Sequence, residues 1–104
     1  MVHARVIRSV GAERDLELLF EYIALDGGVD RAEAVLRRID ATTHRLADFP
    51  GIGKIHRDLE GAPRAFSVWP WLVIYERLPD GDGIYVLRVI DGRRDLPRHM
   101  AFRS

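Results

Sequence analysis

Cysteine is absent from this 104-residue chain. No disulfide framework and no thiolate metal site can form, which fits a reducing cytoplasm. Lysine is almost absent too, Lys54 being the single example. Net charge is missing as well, with 16 basic side chains against 16 acidic ones. Domains that live on nucleic-acid phosphates usually carry a basic excess, because counterion release drives their binding. Any such affinity here needs a local patch. No apolar run approaches the ~20 residues that span a bilayer, and residues 1–9 lack the apolar stretch of a signal peptide. A cytoplasmic location is therefore expected. The histidines at 3, 44, 56 and 99 show no paired ligand spacing, so no metal is expected. Gly51-Ile52-Gly53-Lys54 lacks the cradle and ending of a phosphate loop, so no nucleotide cofactor is expected.

What remains is ordinary for one globular domain over residues 1–104, with 47% hydrophobic and 31% charged residues. Residues 2–8 read as a strand with Val2, Ala4 and Val6 on one face, broken at Gly11. Leu16, Leu19, Phe20 and Ile23 form a helical stripe that Gly27-Gly28 ends. Asp30 and Glu33 predict a capping-box-like start to a second helix. Its stripe is Ala32, Val35, Leu36, Ile39, Thr43 and Leu46, closed by Phe49-Pro50-Gly51. A link of about two to five residues predicts an antiparallel helical hairpin. Residues 52–63 read as a long polar connection. Three strand-like runs follow, at 66–69, 72–75 and 84–90. They are bent at Trp69-Pro70-Trp71 and at the hairpin signal Pro79-Asp80-Gly81-Asp82-Gly83. The order strand–helix–helix–strand–strand–strand predicts an α+β fold, the hairpin covering one face of a mostly antiparallel sheet and the other face partly open. Glu13, Asp15, Glu17 and Glu21 crowd the first helix; Arg93, Arg94, Arg98 and Arg103 crowd the tail.

The local words resemble the RelE/ParE superfamily of bacterial toxins, the toxic halves of type II toxin–antitoxin pairs. They are Asp15-Leu16, Tyr22-Ile23-Ala24, Leu46-Ala47-Asp48-Phe49-Pro50-Gly51-Ile52-Gly53-Lys54, Arg57-Asp58-Leu59, Arg64-Ala65-Phe66, Val73-Ile74-Tyr75, and the final run from Val86-Leu87-Arg88 through Asp91-Gly92-Arg93-Arg94-Asp95-Leu96. The resemblance spans residues 6–96 and is closer to the ParE branch. It implies a RelE-like fold and a cognate antitoxin, an amphipathic helix encoded adjacently. In the ParE branch it implies DNA gyrase as target, trapped on cleaved DNA. In the RelE branch it implies ribosome-dependent mRNA cleavage. Fold alone does not choose between the branches.

Metal-free RNA cleavage needs a base, an acid and cations for a phosphorane-like transition state. The candidates are Lys54, Arg57, Arg64, Arg88, Arg93 and Arg94 as cations, with His56, Tyr75 and Tyr85 as acid–base groups. Against that chemistry, lysines are few, and Asp91 stands near the end of the last strand. A carboxylate there repels phosphate unless Arg93 or Arg94 pairs with it. Arg64 reads first as a loop-pinning ion pair to Asp58, Glu60 or Asp95, and second as a target contact. Tyr75 reads first as a core tyrosine with a satisfied hydroxyl, and second as a catalytic group. Trp69 and Trp71 project from one side of the bend if the strand stays extended, filling core or anchoring a partner. Arg93, Arg94 and Asp95 face either a target or an ion pair with Glu13 or Glu17. Three hypotheses result. The first is a gyrase-binding toxin with antitoxin and target sites among Trp69, Trp71, Arg93, Arg94 and Asp95. The second is a ribosome-dependent endoribonuclease. The third is a domain of the same fold that binds a partner without toxicity.

Overall fold

The computed structural model describes residues 4–93. Its elements are β1 (Arg5–Arg8), α1 (Val10–Gly27), α2 (Val29–Asp48), β2 (Lys54–Ile55), β3 (Arg64–Val68), β4 (Trp71–Arg77) and β5 (Gly83–Asp91), with a 3-10 turn at Pro50–Ile52. The five-stranded sheet has the order β1-β5-β4-β3-β2. Among the described residues the β1–β5 pair is parallel and the other three pairs are antiparallel.

The helical hairpin forms as the stripes predict. Leu19 and Ile23 from α1 are buried with Ala32, Ile39 and Leu46 from α2, against Val73, Tyr75, Ile84, Val86 and Val89 of the sheet. Its ends differ from the sequence reading. Gly11 does not break the first strand; it lies inside the first turn of α1, and Ser9 is the N-cap. The Ser9 Oγ accepts from the Ala12 N–H at 2.9 Å and donates to the Leu87 carbonyl at 2.7 Å. One hydroxyl therefore starts the helix and ties it to β5. A Cβ at Gly11 would stand 3.2 Å from the Arg88 Cδ, so the glycine permits this close approach. At the hairpin, Gly28 alone links the helices, with φ +92°. Asp30 then falls inside the first turn of α2 and makes no side-chain cap, though its charge still suits the helix N-terminus.

The connection at 52–63 is more ordered than a polar loop. Lys54 and Ile55 pair with Ala65 and Arg64, and the Leu59 side chain is buried. Leu59 joins Ala65, Ile74 and Leu87 in a second apolar cluster, with Leu72, Tyr85 and Ile90 packed against it. The sheet face away from the hairpin is thus apolar and largely buried at its centre rather than open. The strand does not stay extended at the first bend. A cis Trp69–Pro70 peptide turns the chain between β3 and β4. The second bend is the expected hairpin, closed by the Gly81 N–H on the Leu78 carbonyl at 2.8 Å. Among the described residues no helix is long and apolar enough to cross a membrane.

Candidate functional site

The sequence singled out basic and aromatic residues across the last two thirds of the chain. The fold distributes them to three places. The first surrounds Gly53, just after α2. Tyr75 is fully buried. Its hydroxyl donates to the Pro50 carbonyl at 2.7 Å and accepts from the Gly53 N–H at 2.8 Å. Burial pushes this phenol above the usual tyrosine range, opposed by the Gly53 N–H and by the charges of Arg64 and Arg77. A hydroxyl so engaged, with no exposed surface, cannot meet a phosphodiester. Arg64 donates to the Gly53 carbonyl at 2.8 Å. It does pin the loop, but through a main-chain oxygen and not through Asp58 or Glu60; Asp95 lies outside the described residues. Lys54 and Arg57 are exposed nearby in sequence, and His56 stands 3.8 Å from Asp58.

The second place is the edge of β5 beyond the reach of β1. Asp15 projects from α1 and takes Arg88 in a two-pronged ion pair, Nε at 2.7 Å and the second nitrogen at 3.0 Å. The same carboxylate accepts the Val89 N–H at 2.9 Å. Asp15 therefore satisfies both a guanidinium and a strand-edge donor. Its hydrogen bond raises the Arg88 pKa further above the ordinary value. Arg88 is a structural tie between helix and sheet.

The third place is a groove of about 430 Å³ where the helical hairpin meets the β3–β4 bend. Its walls include Tyr22, Arg31, Arg38, Trp69, Trp71 and Arg93. Trp69 is 67% exposed, whereas Trp71 is half-buried against the core. Trp69 lies in the bend after β3 and Trp71 opens β4, yet both border the groove. Arg93 pairs with Asp91, Nε at 3.0 Å and a terminal nitrogen at 2.7 Å, and not with Glu13 or Glu17. That bond raises the Arg93 pKa further. Arg94 and Asp95 lie outside the described residues. Arg31 and Arg38 escaped the sequence reading. Their signal was present, since a spacing of seven on α2 puts both on one face with Ala34 and Val35 between them. Neither guanidinium pairs with another described residue.

These three places do not combine into one reaction centre. Arg64 lies opposite Tyr75 and Asp91 opposite Trp71 in the strand register. Four residues of β4 separate those positions, roughly 13 Å at ~3.3 Å per residue. Arg88 is committed to Asp15 on the far side of β5. No group of three or more His, Asp or Glu among the described residues could hold a metal ion. The groove, with exposed aromatic surface and unpaired guanidinium groups, is suited to gripping a macromolecule bearing apolar and acidic side chains.

A helical hairpin on one face of a mostly antiparallel five-stranded sheet is the architecture of RelE/ParE toxins. Two solved structures share it. The chromosomal ParDE system of P. aeruginosa aligns with a TM-score of 0.69 at 18% identity, covering 86% of this chain and 96% of that one. The RelBE2 toxin–antitoxin complex of Mycobacterium tuberculosis aligns at 0.60 with 23% identity, covering 86% and 99%. In sequence, the chain is 42% identical to Toxin ParE3 of Caulobacter vibrioides over 100 residues, 96% of this chain and 98% of that protein. Residues 6–96 match the family described as the ParE toxin of the type II toxin–antitoxin system, parDE. The chain belongs to the ParE toxin family, on the ParE branch of the RelE/ParE superfamily.

Proposed function

We propose that this toxin inhibits DNA gyrase by binding it and trapping it on cleaved DNA, and that a cognate antitoxin neutralises it in the cytoplasm. Family membership over residues 6–96 carries this reading. The dispersal of the nuclease candidates supports it. Tyr75 is sealed, Arg88 is held by Asp15, and Arg64 lies opposite Tyr75 whereas Arg93 is paired to Asp91, which lies opposite Trp71 four residues away along β4. A binding toxin needs no such convergence, because it acts by occupying one state of its target. The antitoxin is an amphipathic helix with acidic side chains. Its apolar seam meets Trp69 and Trp71 in the groove, and its acids meet Arg31, Arg38 and Arg93.

Purified chain added to gyrase, supercoiled plasmid and ATP is expected to accumulate linear DNA that appears after denaturation and proteolysis. Cognate antitoxin is expected to prevent it. If no cleaved DNA accumulates and site-specific cuts appear in mRNA on translating ribosomes, the endoribonuclease reading replaces this one. If neither appears and expression without the antitoxin leaves growth intact, the domain binds a partner without toxicity.

A further inference from the structure

The charge of this chain sums to zero, yet its arginines are unevenly spread. Arg31, Arg38 and Arg93 border the groove where the helical hairpin meets the β3–β4 bend, against one lining acid among the described residues, Asp26. Arg31 and Arg38 are exposed, and no described carboxylate pairs with either. They stand seven residues apart on α2, about 10.5 Å at ~1.5 Å per residue. Two rings share the same walls. Trp69 comes from the bend and Tyr22 from α1, and they are 67% and 61% exposed. Arg93 and Tyr22 interact electrostatically. The groove holds about 430 Å³, within the range that takes a small organic molecule such as a base.

We infer that this groove is a binding site for single-stranded DNA. Phosphates recur about every 3.4 Å along a stacked strand, so Arg31 and Arg38 reach phosphates about three nucleotides apart. Guanidinium forks match phosphate oxygens. Trp69 and Tyr22 offer ring faces to bases, and a cationic groove with aromatic platforms is how proteins hold single strands without reading sequence. A duplex keeps its base faces in its own stack and leaves those rings unused. The choice of DNA as the source rests on the gyrase reading above, in which the toxin acts while DNA is cut and its ends can fray. An antitoxin helix presents carboxylates and apolar side chains to the same groups, so helix and strand exclude each other. Asp26 opposes a phosphate, and Arg93 shares its charge with Asp91, so the affinity is low.

The test is fluorescence anisotropy of a labelled oligothymidine of about 12 nucleotides, titrated with the purified chain. The expected dissociation constant is on the order of 10–100 μM. Log affinity should fall against log salt with a slope of about −1.4 to −2.1, for two or three phosphates engaged at ~0.7 each. Trp69→Ala should weaken binding about tenfold with melting unchanged, since the side chain is mostly exposed. Arg31→Ala and Arg38→Ala should each take about 0.7 from the slope. Asp26→Asn should tighten binding about threefold, a gain that no folding defect mimics. An abasic strand or a duplex that binds as well as oligothymidine overturns the inference. So does tighter binding of oligouridine, or an Asp26→Asn chain that binds no better. No strand binding up to about 300 μM chain also overturns it; if Trp69→Ala still weakens the antitoxin, the groove is the antitoxin's alone. A wild-type chain that binds the strand but traps no cleaved DNA with gyrase removes the gyrase reading and leaves this site standing. One that traps cleaved DNA but binds no strand does the reverse.

Discussion

Replacing Tyr75 by phenylalanine removes one oxygen and keeps the ring. That oxygen spans two main-chain groups, the Pro50 carbonyl and the Gly53 N–H, and so holds the exit of α2 against β4. The ring is fully buried and Gly53 is buried too, so no water replaces the lost partner of that N–H without a local opening. Two hydrogen bonds at about 1 kcal/mol each, plus desolvation of at least one orphaned group, give about 2–4 kcal/mol of destabilisation. For a domain of this size that is a fall in melting midpoint of about 10–20 °C. Calorimetry or a urea titration measures it. The pH dependence supplies a second signature. The folded state holds the phenol proton above the usual tyrosine range, because burial disfavours phenolate. The unfolded chain therefore loses that proton first. The contribution of Tyr75 is complete below about pH 10 and declines as pH rises through the folded value. Wild-type stability should drop in that alkaline window, and Tyr75→Phe should remove part of the slope. A loss below about 0.5 kcal/mol would refute the strut and its bookkeeping. A variant that melts like the wild type yet loses all activity would return Tyr75 to a catalytic role.

Asp15→Ala should cost about 2–4 kcal/mol, since it takes the carboxylate from both Arg88 and the Val89 N–H. The Asp15→Ala, Arg88→Ala double variant should lose less than the sum of the singles in chemical denaturation. Gly83→Ala should destabilise by more than about 3 kcal/mol, measured by denaturant titration. Gly83 has φ +134°, and an added Cβ would fall 2.0 Å from the Arg5 carbonyl oxygen, forcing β1 off the sheet. Trp69→Ala should change stability by less than about 0.5 kcal/mol because the side chain is mostly exposed. It should nonetheless weaken antitoxin affinity by about 2 kcal/mol or more, read by calorimetric titration. Unchanged affinity would remove the groove from the interface.

The sequence by itself determined the order and kind of every element except the 3-10 turn and β2. The stripe of Leu16, Leu19, Phe20 and Ile23 repeats every three to four residues. The glycine pair at 27–28 and the turn at 79–83 act locally, so each is readable in a window of a few residues. The missed details were those in which a local signal lost to a distant contact. Gly11 resembled a strand breaker, but Ser9 and Arg88 hold it inside a helix. The connection at 52–63 resembled a polar loop, but β3 recruits two of its residues, and Leu59 packs beneath the sheet. Tertiary structure alone decided what each charged or hydroxyl side chain touches. Asp15 meets Arg88 from 73 positions away, and Tyr75 reaches Pro50 across 25. It also decided that Arg31 and Arg38 share a groove with Trp69. Side-chain type and spacing fix what a residue is able to bind, whereas chain folding fixes which partner arrives, because such contacts depend on the path of the whole backbone.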